Sequence, residues 1–300
     1  MLDRASTFAD PEIVQLLKTR FVPVAIDQAY QRRQKDSEGE FYRQIAGKGP
    51  RSDFESTTQG FYIATAAGDL LLYNNNRDPA KVRRLMQEKL AAFEASGARD
   101  AKVASIETAT RDARWAVEPP EGGLVVRVQA RVLGGYEPTS DRWRRIFQSA
   151  LARDNLWVTK SEHRDLARGV VAESLAKRIA RYHLVDNTRG EPPMWSENEI
   201  QTLELRIEKG ELLGAARLSK GDGSRSYDAK LRGVIETHDG KVTRFDLVAL
   251  GDFEGEGQYT RGAPKGRFPF AVAFTLADAS DIADRVPPQG SRGWVAGYLR

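Results

Sequence analysis

Three histidines, five tryptophans and no cysteine bound the chemistry open to this 300-residue chain. Without cysteine there are no disulfides, thiolate metal sites or thiol nucleophiles. His183 closes an amphipathic stretch and is followed by Asp186, Asn187, Arg189, Glu191 and Trp195. A histidine with carboxylates nearby can move protons near neutral pH, where imidazole titrates. No serine lies in a G-x-S-x-G setting to act as its nucleophile. A histidine hydrogen-bonded near a helix end is the plainer reading. His163 beside Glu162 and Asp165 lacks the H-E-x-x-H spacing of a zinc-binding helix face. The acidic run Asp246, Asp252, Glu254 and Glu256 departs from the EF-hand pattern and reads as a solvated strand end. No cofactor is implied.

The most distinctive composition is the glycine-rich, basic loop from Gly255 to Arg267, GEGQYTRGAPKGR. Its glycines could bring backbone N–H groups close to an anion, with Arg261, Lys265 and Arg267 supplying charge. It lacks the G-x-x-x-x-G-K-[ST] pattern and opens no helix, so it is not a P-loop. A cleft for a small anionic ligand would then be lined by His183, Trp195, Tyr259, Arg261, Lys265 and Arg267. The competing reading is a solvated loop joining two strands. Trp115, Trp143, Trp157, Trp195 and Trp294 are scattered, as core or interdomain residues are.

The elements that would position these residues follow from periodicity. Leu124 to Leu133 alternates as a strand, and Asp141 can cap a helix through Trp143, Ile146, Phe147 and Leu151. Asn155 to Thr159 is a brief apolar patch. Leu166, Val170, Leu175, Ile179 and Tyr182 recur at helical spacing and predict one helix over about Asp165 to Leu184. Leu203, Leu205 and Ile207 begin a half-solvated strand, with Leu212 to Leu218 as its partner. Phe268 to Leu276 supplies another strand. For the pair around Asp239-Gly240, a plain two-residue turn sets Ile235 against Arg244 and mixes the faces. A three-residue loop with left-handed Gly240 and a bulge puts Tyr227, Ala229, Leu231 and Ile235 on one face with Phe245, Leu247 and Ala249. The other face then brings Arg232 opposite Asp246.

In the first third, Asp10-Pro11 starts a helix carrying Ile13, Val14, Leu16 and Leu17. Phe21 to Ile26 reads as a covered strand, with Pro23 removing one ladder donor. Glu38 to Ile45 is a short helix. Phe61 to Tyr73 is a hairpin turned at Ala67-Gly68-Asp69, and Asp78-Pro79 opens a helix facing inward through Val82, Leu85, Met86, Lys89 and Phe93. The helix F-A-D-P-E-I before F-V-P-V-A-I-D resembles the thioredoxin-like fold, in its "F-x-D-P-E-V" and "F-V-x-V-x-x-D" branch. The resemblance implies a mixed sheet of Phe21–Ile26, Phe61–Ala64 and Leu70–Tyr73. In that branch a C-x-x-C motif precedes the Phe, and counting back from Phe8 lands just before Met1. The family's cis-proline place is held by Gln59 or Gly60. The unit is therefore expected to be redox-dead.

Lys and Arg number 46 against 42 Asp and Glu, a net +4 with the signs interleaved, which argues against a nucleic-acid partner. No run approaches the roughly 18 apolar residues of a membrane span. An extracytoplasmic location would require that a leader had been removed. The length suits two domains. Residues 1–98 form the thioredoxin-like unit, 99–123 a connector, and 124–300 an α+β domain with one or two helices against an antiparallel sheet of about five or six strands. Three functions fit: a binding or scaffold module for a protein partner, a ligand-binding or hydrolytic C-terminal domain, or a thiol–disulfide oxidoreductase whose C-x-x-C lies before Met1.

Overall fold

Residues 5–97, 111–278 and 280–300 are described by a computed structural model, and the chain divides into two compact units, Ser6–Val117 and Glu118–Arg300. The fold mixes helices with antiparallel sheets, an α+β arrangement. Residues 99–110 of the expected connector lie outside the described residues.

In the first unit, the Asp10 carboxylate accepts the N–H groups of Glu12 and Ile13 and so starts helix α1, Pro11–Arg20. Asp36 does the same for α2, Ser37–Gly47, through the N–H of Gly39. Strands β1, Phe61–Ala64, and β2, Leu70–Asn74, pair as a hairpin whose turn needs Gly68 at φ +83°. Helix α3, Pro79–Ala95, is capped by Asp78. Ile13, Ile63, Val82 and Met86 are buried together, with Leu16, Leu17, Phe21 and Leu72 against them. Leu85 and Phe93 are only half-buried, so Met86 rather than Leu85 is the inner residue of α3.

The expected strand Phe21–Ile26 is not formed. The segment is extended but pairs with nothing, and the sheet of this unit has two strands. Val22 is 89% and Val24 76% exposed. Pro23 removes a ladder donor, and the hairpin β1–β2 offers the segment no hydrogen-bonded edge. Residues 111–117, expected in the connector, instead fold onto this unit. The Asp112 N–H donates to Asp36 Oδ2 at 2.8 Å, and the Trp115 ring meets Tyr30 edge-on.

The second unit is built on seven antiparallel strands: β3, Leu124–Val132; β4, Ala152–Val158; β5, Ile200–Glu208; β6, Glu211–Ser219; β7, Ser226–His238; β8, Lys241–Glu254; and β9, Arg267–Leu276. Their order is β4-β3-β9-β8-β7-β6-β5. The brief apolar patch at Asn155 is thus an edge strand that begins at Ala152. The inner face carries Val126, Val128, Tyr227, Leu231, Phe245, Phe253, Phe270 and Phe274, all buried.

Over that face lie α5, Lys160–Ala167, and α6, Glu173–Arg178, which runs into one π turn, Ile179–His183. A further helix, α4, Arg142–Ser149, is capped by Asp141 as expected but ends before Leu151, which is exposed. The single helix expected over Asp165–Leu184 is therefore two. Thr159 and Glu162 form a capping box that starts α5 early, and Gly169 at φ +81° ends it. Val170, expected to face inward, is 56% exposed.

The Asp239-Gly240 hairpin combines both turns considered. Asp239 (φ 50°) and Gly240 (φ 70°) make a two-residue turn with His238 opposite Lys241. A bulge then shifts the register between Glu236 and Thr237, so Ile235 lies across from Phe245. The expected core face is reached, but by a bulge outside the turn rather than by a three-residue loop. In this register Arg232 pairs with Val248 and Val234 with Asp246, so the expected Arg232–Asp246 opposition is incorrect. Asp246 accepts instead from Arg244 Nε at 2.6 Å.

Candidate functional site

Of the six residues expected to line one cleft, His183 and Trp195 are buried, whereas Tyr259, Arg261, Lys265 and Arg267 are exposed. His183 is enclosed: its Nε2 lies 2.7 Å from the Tyr298 hydroxyl, and its Nδ1 lies 3.2 Å from Asp154 Oδ2 but out of line for a hydrogen bond. Asp154 Oδ1 accepts the N–H groups of Asn155 and Gln289. Burial, with the Asp154 charge beside it, pushes the Tyr298 phenol well above its ordinary pKa, so it stays protonated. Trp195 is buried as well, its indole N–H donating to the Leu184 carbonyl. The Arg225 guanidinium stacks 3.8 Å from the Trp195 ring centre, and burial lowers its pKa from a very high starting value.

The loop after β8 has already used much of its anion-binding capacity. Glu256 Oε2 accepts the N–H groups of Gly262 and Ala263, and Thr260 Oγ1 accepts that of Gly257. Arg267 donates to Asp228 at 2.7 Å. Tyr259, Arg261 and Lys265 point into solvent. A depression of about 180 Å³ nearby is lined by Asp186, Arg225, Phe253, Glu256 and Thr260 among others, and by none of the six. Among the described residues no group of three or more His, Asp and Glu is placed to hold a metal. His163 is structural: its ring bridges the Gly122 carbonyl and the Val242 N–H.

Two buried ion pairs account for much of the remaining charge. Arg178 donates to Glu162 at 2.7 Å and also to the carbonyls of Tyr298 and Leu299, which docks the C-terminal turn. Burial opposes the Glu162 charge, but hydrogen bonds from Arg178, Ser174 and the Thr159 N–H outweigh it and hold the carboxyl below its usual range. Arg189 pairs with Asp186 and donates to the Tyr136 hydroxyl and the Thr260 carbonyl, which ties down the middle of the glycine-rich loop. These are fixed structural contacts with little freedom to meet a substrate.

The outer face of the sheet carries a different pattern. The registers align Gln129, Ala273, Val248, Arg232 and Leu213 in one row across β3, β9, β8, β7 and β6. Two residues along the strands, the next row reads Arg131, Ala271, Leu250, Lys230 and Ala215. Val248, Leu250, Ala271 and Ala273 thus form an aliphatic block. Arg131 borders it on β3, and Lys230 and Arg232 border it on β7. Val248 is 42% and Leu250 50% exposed, and all three cations are exposed. None of the three makes an ion pair among the described residues. The rows on either side contain carboxylates, Asp246 in one and Asp252 with Asp228 in the other.

Sequence reasoning missed this face. The signal was the unbroken run Leu247-Val248-Ala249-Leu250, which makes both faces of β8 apolar where a half-solvated antiparallel strand would alternate. No protein family, curated protein or solved structure matches the chain. No helix among the described residues is long and apolar enough to cross a membrane.

Proposed function

We propose that this protein is a binding module whose working surface is the outer face of the seven-stranded sheet. The observation that carries the proposal is the aliphatic block of Val248, Leu250, Ala271 and Ala273 bordered by Arg131, Lys230 and Arg232. Contiguous exposed apolar area rimmed by like charges is characteristic of an interaction site. A ligand-binding or hydrolytic role centred on His183 draws less support, because that ring is sealed between Tyr298, Asp154 and Phe274. The helix–hairpin–helix order of the first unit supports its reading as a thioredoxin-like element without redox residues, with Phe21–Ile26 the point of departure. It serves here as a second module of the same scaffold.

Site-directed photocrosslinking tests the proposal. A photoreactive phenylalanine at Leu250, in the full chain expressed in its source cells, should give discrete adducts that K230E/R232E removes. The same probe at Thr243, exposed on the same strand, should not give them. Adducts that are identical at both positions, or indifferent to the charge reversal, would overturn it.

A further inference from the structure

Resting on that reading, we infer that the occupant of the sheet face is an acidic, aliphatic polypeptide segment that crosses the strands rather than following them. Three features fix its chemistry. Among the described residues the cations on the band, Arg131, Lys230 and Arg232, make no ion pair with a carboxylate, so an occupant with acidic side chains completes them. The surface between them is Val248, Leu250, Ala271 and Ala273, which gains from aliphatic groups and offers no aromatic ring. Single-stranded nucleic acid is held by such rings stacking on its bases, and a cationic sheet without them supplies only the phosphate contacts.

The path follows from where the charges stop. A segment lying along β8 would run from Asp246 over Val248 and Leu250 to Asp252, meeting a carboxylate at each end. Across the strands it meets Arg131, the aliphatic block, and then Lys230 and Arg232; beyond these the rows reach Arg153, already paired with Asp281, on β4 and Arg206 with Glu204 on β5. Arg131 and Lys230 are three strand spacings apart, about 14 Å, so acidic groups roughly that far apart would straddle the aliphatic contact. Seven strands span about 29 Å, which about 19 residues of helix would cover, and the two rows are about 7 Å apart, within one helix width.

A fluorescence-anisotropy titration of the full chain tests this with four probes: a 19-residue helical peptide with a leucine stripe flanked by glutamates, its glutamate-to-lysine counterpart, an oligothymidine of similar length, and vesicles of anionic lipid. The acidic peptide should bind, and more weakly as salt rises. K230E/R232E should weaken it about tenfold, as should L250D, while K230R/R232K leaves it close to the parent. These side chains are exposed, so circular dichroism should show an unchanged fold. Tighter binding of oligothymidine or vesicles, sensitive to the same reversal, would overturn the acidic-peptide assignment yet leave the docking face standing. Self-association in sedimentation that K230E/R232E abolishes would make a second copy the occupant, and would overturn it too. No binding by the acidic peptide refutes the inference alone if the Leu250 crosslinks form, and both readings together if they do not.

Discussion

Glu162 and Arg178 meet at 2.7 Å inside the second unit, with 4% and 1% of their side chains exposed. The pair joins the first turn of α5 to the end of α6, and through Arg178 to the carbonyls of Tyr298 and Leu299. Removing one partner leaves a buried charge without compensation, so Arg178→Met should cost ~3–5 kcal/mol, measured by urea denaturation. A loss below about 1 kcal/mol would mean that water reaches the pair.

The same pair sets a pH dependence. The folded Glu162 carboxyl is held below its usual range, so its contribution is fully present above the unfolded value of about 4.3. It is lost as the pH falls from there through the folded pKa. The stability gap between the parent and Glu162→Gln should therefore be constant near neutrality and narrow below about pH 4. Urea midpoints of both proteins at several pH values test this. A gap that widened on acidification would reverse the sign and refute the assignment.

The two faces of β8 should respond differently to truncation. Phe245 is buried opposite Ile235, so Phe245→Ala should cost ~3–5 kcal/mol. Val248→Ala, on the outer face, should cost less than about 1 kcal/mol, because little buried surface is lost. Thermal unfolding of both variants checks the register. Equal losses would mean that the outer face is covered in the folded chain.

That register illustrates what a sequence can and cannot specify. The segregation of Tyr227, Leu231, Ile235, Phe245 and Leu247 was legible, since a one-residue slip would invert the faces. The bulge that achieves it was not, because Thr243 carries no local sign of being the unpaired residue. The T-x-x-E spacing of Thr159 and Glu162 went unread as the capping box that starts α5 early, and the helical spacing of Leu166 and Val170 pointed across the break at Gly169. Phe21 to Ile26 failed for a non-local reason: an apolar run becomes a strand only if a partner edge is available. The burial of two candidate cleft residues has the same non-local origin. His183 and Trp195 are polar-tipped residues whose partners, Tyr298 and the Leu184 carbonyl, complete them inside the core.

In the first unit, Met86 has no exposed surface and packs with Ile13, Ile63 and Val82. Met86→Ala should cost ~2–5 kcal/mol, and Leu85→Ala, half-buried on the neighbouring position, clearly less. Because the two units are separately compact, the loss should be read from a probe local to the first, such as hydrogen exchange in β1 and β2. The opposite ranking would mean that α3 is rotated by one residue about its axis.

The last prediction separates packing from hydrogen bonding at His183. Tyr298 fills the core beside it and bonds to its Nε2 at 2.7 Å. Tyr298→Phe keeps the ring and removes only the hydroxyl, leaving a buried ring nitrogen without a partner, at a cost of ~1–3 kcal/mol. Tyr298→Ala adds a cavity where an aromatic ring was and should cost more, ~3–5 kcal/mol. The double variant Tyr298→Phe with His183→Leu should recover part of the first loss, since both ends of the bond are then apolar and no polar atom is stranded. Denaturation of the three variants measures the coupling directly. If Tyr298→Phe alone is neutral, the hydroxyl contributes nothing and the ring docks the C-terminal turn by packing only. If the double variant is worse than the sum of its parts, His183 has a further role that Asp154 at 3.2 Å from its Nδ1 would have to supply.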